Sequence, residues 1–218
     1  MKKIIASLLV VFISGSCFCQ DSKSTIGAYL GPAIVSLTGE DFLREERQIL
    51  IRVSGGIEYQ FHFSDNTSLI SGIGFDGKGN SNSLVLTDVD GNIIGDIKRK
   101  FIANYLSIPL KFRLTSKGST KVFGEVGAFI GFLMSAKQLY PSNPYGENKI
   151  DMKEIYAPLD YGVSVGLGLL IPIGKEYGMS VSFSENLGLA QVWDNNNGPN
   201  INVKTNSLLL KLGFSKSF

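Results

Sequence analysis

Residues Arg52 to Ser64 read RVSGGIEYQFHFS, and this stretch decides the fold. Its odd positions, Val53, Gly55, Ile57, Tyr59, Phe61 and Phe63, are mostly bulky and apolar. Its even positions, Arg52, Ser54, Gly56, Glu58, Gln60, His62 and Ser64, are polar or glycine. Successive side chains of a strand point to opposite faces, so a two-residue period over this length predicts a β-strand with one apolar and one polar face.

The same period recurs on both sides of it. Asp65-Asn66 makes a tight turn into a strand over about Thr67 to Asp76, with Leu69, Ile73 and Phe75 on one face and Gly72, Gly74 and Asp76 on the other. A strand over Phe101 to Thr115 sets Leu106, Ile108, Leu110 and Phe112 against Lys111 and Arg113. After the Ser116-Lys117-Gly118-Ser119 turn, Val122, Val126, Ala128, Ile130, Phe132 and Met134 oppose Glu125, Gly127 and Gly131, with Phe123, Phe129 and Leu133 on the glycine face. Leu159 to Ile171, Met179 to Leu189 and Leu208 to Phe218 follow the same rule, the first two joined at Gly174-Lys175-Glu176. Ser24 to Leu37 is the least regular strand, because Pro32 lacks a backbone donor and predicts a bulge or edge kink.

The connections over 38–50, 77–100, 136–158 and 191–205 are long, and they alternate with three tight turns. This predicts eight antiparallel strands with both termini on the short-turn side, the wiring of an all-β, up-and-down transmembrane β-barrel of the outer-membrane kind. Asp90-Gly91, flanked by Leu84, Leu86, Ile93 and Ile94, predicts that the second connection forms a hairpin of its own.

Met1-Lys2-Lys3 followed by the apolar run Ile4 to Ile13 reads as a signal peptide over residues 1–19, leaving residues 20–218 as one barrel domain. Two readings stay open: cleavage after Cys19, or lipidation at Cys17, for which Ser14 is an unusual residue three places upstream. With cleavage, both cysteines leave and the mature chain holds no disulfide or thiol ligand. Removing Lys2 and Lys3 from 21 Lys+Arg leaves 19, equal to the 19 Asp+Glu, and a net charge near zero argues against nucleic acid as a partner. No apolar stretch after residue 20 reaches the ~20 residues of a spanning helix.

Alternation alone does not say which face is outside. A soluble lipid-binding barrel keeps bulky apolar residues inside, and a membrane barrel turns them out. The polar face here carries glycine, serine and single charges, which suits the crowded interior of eight strands. The other face suits acyl chains, and Phe61, Phe63, Phe112, Tyr177, Phe214 and Phe218 gather near the short turns as an interfacial girdle. The expectation is therefore a chain embedded in outer-membrane lipid.

Four stretches, NYLSIPLKFRL (Asn104 to Leu114), VFGEVGAFIGFLMSAK (Val122 to Lys137), LDYGVSVGLGL (Leu159 to Leu169) and the C-terminal SLLLKLGFSKSF, resemble the PorT-like family of Gram-negative outer-membrane β-barrel proteins. The resemblance implies an eight-stranded barrel in the cell envelope. It also implies that the barrel-assembly machinery recognises the last strand, with Phe214 and Phe218 as its signal. Lys216 departs from the apolar residue usual at its position and is expected to snorkel to the interface.

Few residues suggest chemistry, and no catalytic, cofactor or metal constellation is expected. Gly72-Ile73-Gly74-Phe75-Asp76-Gly77 matches a GxGxxG string, but a dinucleotide site needs a helix directly after it, and Lys78-Gly79-Asn80-Ser81 follows here. The expectation is that Gly72 and Gly74 make room opposite Glu58 and Gln60. Asp88-Val89-Asp90-Gly91-Asn92 hints at a calcium loop but has glycine and the twelfth residue in the wrong places, which favours a hairpin turn. His62, the sole histidine, is expected to make a structural hydrogen bond rather than serve as a base. Counting back from the Ser116–Ser119 turn sets Lys111 opposite Glu125 on the inward face. With Arg52, Glu58 and Arg113 they are expected to form a charged lumen network, either a narrow ion path or, the favoured reading, a plug of salt bridges. A structural or interaction role through the long outer connections, in adhesion, envelope integrity or secretion, is the leading reading. A narrow pore is the alternative, an enzyme the remotest, and a soluble lipid-binding barrel the rival fold.

Overall fold

The computed structural model describes residues 24–39, 49–142, 146–193 and 202–218. The expected signal peptide, both cysteines and most of the connections over 38–50 and 191–205 lie outside these residues.

Among the described residues nine strands form: β1 (Ser24–Gly39), β2 (Leu50–His62), β3 (Thr67–Thr87), β4 (Ile93–Thr115), β5 (Lys121–Ser142), β6 (Gly146–Asp151), β7 (Leu159–Ile173), β8 (Tyr177–Gly188) and β9 (Val203–Ser217). The sheet runs β4-β3-β2-β1-β9-β8-β7-β5 and closes through β4–β5 pairing, so eight strands make the ring and β6 hangs on β5 alone. All pairings are antiparallel. The last strand locks against the first at the short-turn end, where the Phe218 amide donates to the Ser24 carbonyl at 2.8 Å. Closure leaves no open edge within the ring, which is what a strand structure needs in hydrocarbon.

The bulky face is outside. Ile57 is 62%, Leu110 53% and Val165 51% exposed, while the opposite parity of these strands is mostly buried or half-buried. This overturns the soluble lipid-binding alternative, which requires those residues to pack together within the barrel. Around the short-turn end, Tyr177 stacks on Phe214 with ring centroids 5.7 Å apart and Phe61 meets Phe63 edge-on at 5.2 Å. The Lys216 ammonium lies 5.1 Å from the Phe218 ring and 5.8 Å from the Tyr177 ring, which leaves its stem along the apolar surface.

Three expectations need correction. The hairpin expected around Asp90-Gly91 forms, but the connection over 77–100 is strand for most of its length: β3 and β4 continue as one ribbon to a turn at Asp88–Asn92, past the last β2 pairing at Asp76 and the last β5 pairing at Lys100. Likewise β5 runs on to Ser142 and pairs with β6 where a loop over 136–158 was expected. In the β3 extension Gly77 to Ser81 are buried on both parities and are small or polar, so the apolar two-residue period that marks a strand in lipid fades there. Pro32 causes neither bulge nor kink. The β1–β9 register is the same on either side of Gly31-Pro32, which merely miss their two pairings, and Pro32 itself points outward.

Candidate functional site

The inward face of each strand builds the lumen, and its contents fall into tiers from the short-turn end upward. At that end lies a cavity of about 180 Å³, bordered by Thr25, His62, Lys121, Lys175, Ser182 and Ser217. Thr25 Oγ1 is 2.9 Å from both His62 Nε2 and Ser217 Oγ, a polar seam joining β2, β1 and β9. His62 therefore makes a structural contact with a hydroxyl that is itself shared with a second hydroxyl.

Above the cavity sits the first ionic tier. Arg113 and Glu125 are direct cross-strand partners, whereas Lys111 faces Gly127. Thr115 pairs with Phe123, two residues beyond the register that places Lys111 across from Glu125; Arg113, not Lys111, stands opposite Glu125. Arg113 donates through Nε (2.9 Å) and Nη2 to Glu125 Oε1, and through Nη1 to Gln60 Oε1 at 2.9 Å. Lys111 reaches Glu125 Oε2 diagonally at 3.4 Å. Glu58 joins the tier through a residue not among those expected, Lys211 of β9, at 3.1 Å. The Lys211 ammonium also lies 4.3 Å from the Tyr29 ring centroid, and the Arg113 guanidinium 4.1 Å from that of Phe123. Arg52 stands apart: its Nη2 donates to Asn104 Oδ1 at 2.7 Å, toward the outer end. The network is thus Glu58, Lys111, Arg113, Glu125 and Lys211.

Glycine creates the room for this tier, though not where the sequence placed it. Gly72 faces Glu58, but Gly74 faces Gly56, and Gln60 faces Ile70. A Cβ on Gly74 would sit 2.6 Å from the Tyr29 hydroxyl, and one on Gly56 would sit 3.1 Å from the Tyr29 ring. The GxGxxG string is a strand interior hollowed out for a tyrosine.

Next comes a void of about 10 Å³ among Tyr29, Asp76, Ser107, Lys111, Asn186 and Lys211, about the size of one water. Over it, Lys78 of β3 donates to Asp160 Oδ2 at 2.6 Å, and Thr205 of β9 donates to the same oxygen at 2.8 Å. Lys78 and Asp160 are almost completely buried, and the Lys78 ammonium lies 4.3 Å from the Phe129 ring centroid. Sequence reasoning missed this pair because Lys78 fell in a stretch read as loop.

Toward the outer end lies an apolar cap of Leu37, Ala103, Tyr105, Ala136, Tyr156, Val192, Trp193 and Val203. The segment after β6 crosses inward to place Tyr156 against Trp193, with ring centroids 6.2 Å apart and an isolated bridge between their backbones. Among the described residues, the lumen thus holds a cavity at the short-turn end, two ionic tiers and an apolar cap toward the outer side. Buried ions cost several kcal/mol each to desolvate, so each is held by opposite charge and further hydrogen bonds.

Outside the barrel, the hairpin turn at Asp88–Asn92 is held by its own atoms. Asp88 Oδ1 accepts from the Asp90 amide (2.9 Å) and the Asn92 amide (2.8 Å), and Oδ2 accepts from the Asn92 side chain (3.1 Å). Gly91 has φ +84°, the left-handed value a turn of this kind needs. The carboxylate that a calcium loop would require is committed to the turn. Among the described residues, no group of three or more His, Cys, Asp or Glu is placed to hold a metal ion.

Residues 18–192 match the family model described as outer membrane protein beta-barrel domain. Solved structures that resemble the chain include neisserial surface protein A, at 12% identity over 89% of this chain and 97% of that one, with a TM-score of 0.48. Ail, the attachment invasion locus protein of Yersinia pestis, in complex with the heparin analogue sucrose octasulfate, is 15% identical over 91% of this chain and 100% of its own, with a TM-score of 0.43. The N-terminal beta-barrel domain of Pseudomonas aeruginosa OprF is 10% identical over 90% and 97%, with a TM-score of 0.45. No curated protein matches the chain.

Proposed function

The chain belongs to the outer membrane protein beta-barrel domain family and resides in the outer membrane, and from that premise we propose that it is a plugged barrel whose work is done by its outer ribbons, as a structural or interaction component of the envelope. One observation carries this reading. The column that a solute would have to follow is filled by the Glu58–Lys211 and Arg113–Glu125–Lys111 tier, the Lys78–Asp160 pair and the Tyr156–Trp193 cap. The β3–β4 ribbon, by contrast, ends in Val89, Ile93 and Ile94, which are 102%, 74% and 65% exposed. An apolar tip raised clear of the barrel is a feature of surfaces that meet a partner.

In this reading the chain is one of the PorT-like barrels, supported by the order and spacing of the four stretches quoted above. Residues 1–19 are its removed export signal, and the β9 strand ending at Phe214 and Phe218 is what the barrel-assembly machinery engages. Envelope proteins are the partners that fit the ribbon. A photo-crosslinker at Val89 tests the interaction: a discrete adduct that disappears with Ile93→Asp supports it, and an unadducted barrel on intact cells contradicts it. The cavity of about 180 Å³ favours a second reading, a narrow pore whose cap swings open. That reading requires conductance from the folded barrel.

A further inference from the structure

On the outward face of β8, Glu185 is the charged side chain among apolar neighbours, with Lys204 of β9 two rows beyond Leu208 at the outer end. Its strand neighbours on that face, Phe183 and Leu187, are 57% and 40% exposed, and Leu189 continues the apolar surface above it at 51%. Its cross-strand neighbours are Val165 of β7 and Leu208 of β9. At ~2.5 Å of height per residue in a tilted strand, Glu185 lies about 20 Å above Tyr177, in the outer part of an apolar band ~25 Å tall. An ionisable group on a lipid-facing surface is costly and calls for a partner.

The partner within this chain is weak. Asn206 of β9, one row farther out on the same face, donates from Nδ2 to Glu185 Oε1 at 3.5 Å, at the limit of a hydrogen bond. The second amide hydrogen of Asn206 is a further donor and the other carboxyl oxygen of Glu185 a further acceptor, side by side on this face. That arrangement is self-complementary. Under a two-fold axis along the membrane normal, a carboxyl meets an amide twice, and the flanking Val163, Val165 and Leu187 supply an apolar surround. Polar side chains serve as such glue between membrane-embedded segments.

We propose that the β7–β9 outer wall is a docking face for a second copy of this chain, with Glu185 of each copy hydrogen-bonded by Asn206 of the other. The test is a single cysteine at Leu208, reconstituted in phospholipid vesicles at high lipid-to-protein ratio and oxidised, with Leu110→Cys on β4 as the control; Val165→Cys replaces Leu208→Cys if that variant folds poorly. Disulfide-linked dimer is expected at position 208 and not at 110. It should fall about tenfold when Glu185→Leu is added, because both symmetry-related carboxyl–amide contacts are removed. Glu185→Leu takes a charge off the lipid-facing surface, so loss of dimer cannot be put down to failed insertion once heat-modifiable migration is retained. Equal crosslinking at 208 and 110, no crosslinking at either 208 or 165, crosslinking that survives Glu185→Leu, or a monomer carrying only bound amine-headgroup lipid would each overturn the proposal.

Discussion

Arg113 stands directly across the β4–β5 ladder from Glu125, and its guanidinium spans from that carboxylate to Gln60 on β2. One side chain thus ties three strands across the inside of the ring. Because Lys111 leans on the same carboxylate, Glu125 is the hub of the tier.

Removing the hub should be costly. Glu125→Ala leaves two cations in the lumen without their shared carboxylate, and breaking a buried pair from one side costs about 3–5 kcal/mol. Urea titration of the barrel in lipid vesicles measures this. Glu125→Gln, which retains an acceptor, should lose less.

Leu210 faces outward, opposite Phe183. Leu210→Arg should destabilise the inserted barrel by about 2–4 kcal/mol if it lies near the midplane, and less toward an interface. Folding efficiency into vesicles of defined thickness reads the loss; wild-type efficiency contradicts the placement.

Gly74→Ala should push on Tyr29 and on Ser107, whose Oγ would lie 3.0 Å from the new Cβ. Overpacking of this kind costs about 1–3 kcal/mol. Tyr29→Phe removes the nearest atom, so the double variant should recover part of the loss, a coupling that separate sites do not show.

The ribbon tip carries a pH signature. The Asn92 side-chain hydrogen bond, with the backbone amides of Asn92, Asp90 and Gly91, holds the Asp88 carboxyl below its ordinary value of 3.8. A depressed carboxyl stabilises the turn fully above that ordinary value and loses the contribution as pH falls through the lowered one. Exchange protection of the Asn92 amide should therefore persist at pH 5 and fade only below about 3.8. In Asp88→Ala it should be absent throughout.

What could be read from residues alone follows from where two solvents meet the strand. Arg52 to Ser64 touches lipid on one face and a packed lumen on the other, so its alternation is sharp. Lys78 to Ser83 meets no such contrast, and its strand character emerges only from pairing with β4. The pairing of Lys211 with Glu58 spans 153 residues and follows from ring closure, which no local pattern encodes. The parity of Lys211 was visible, since it shares the inward face with Leu209 and Gly213. Lys111 and Glu125 share the expected face but not the expected register, because the β4–β5 hairpin pairs Thr115 with Phe123, two residues beyond that count.

Single-channel recording on the refolded barrel in a planar bilayer tests the central claim most directly. With the two ionic tiers and the Tyr156–Trp193 cap in place, current should remain at the bare-bilayer baseline over a wide voltage range. Steady conductance steps from the wild-type barrel would contradict the account and move the function to transport through the lumen.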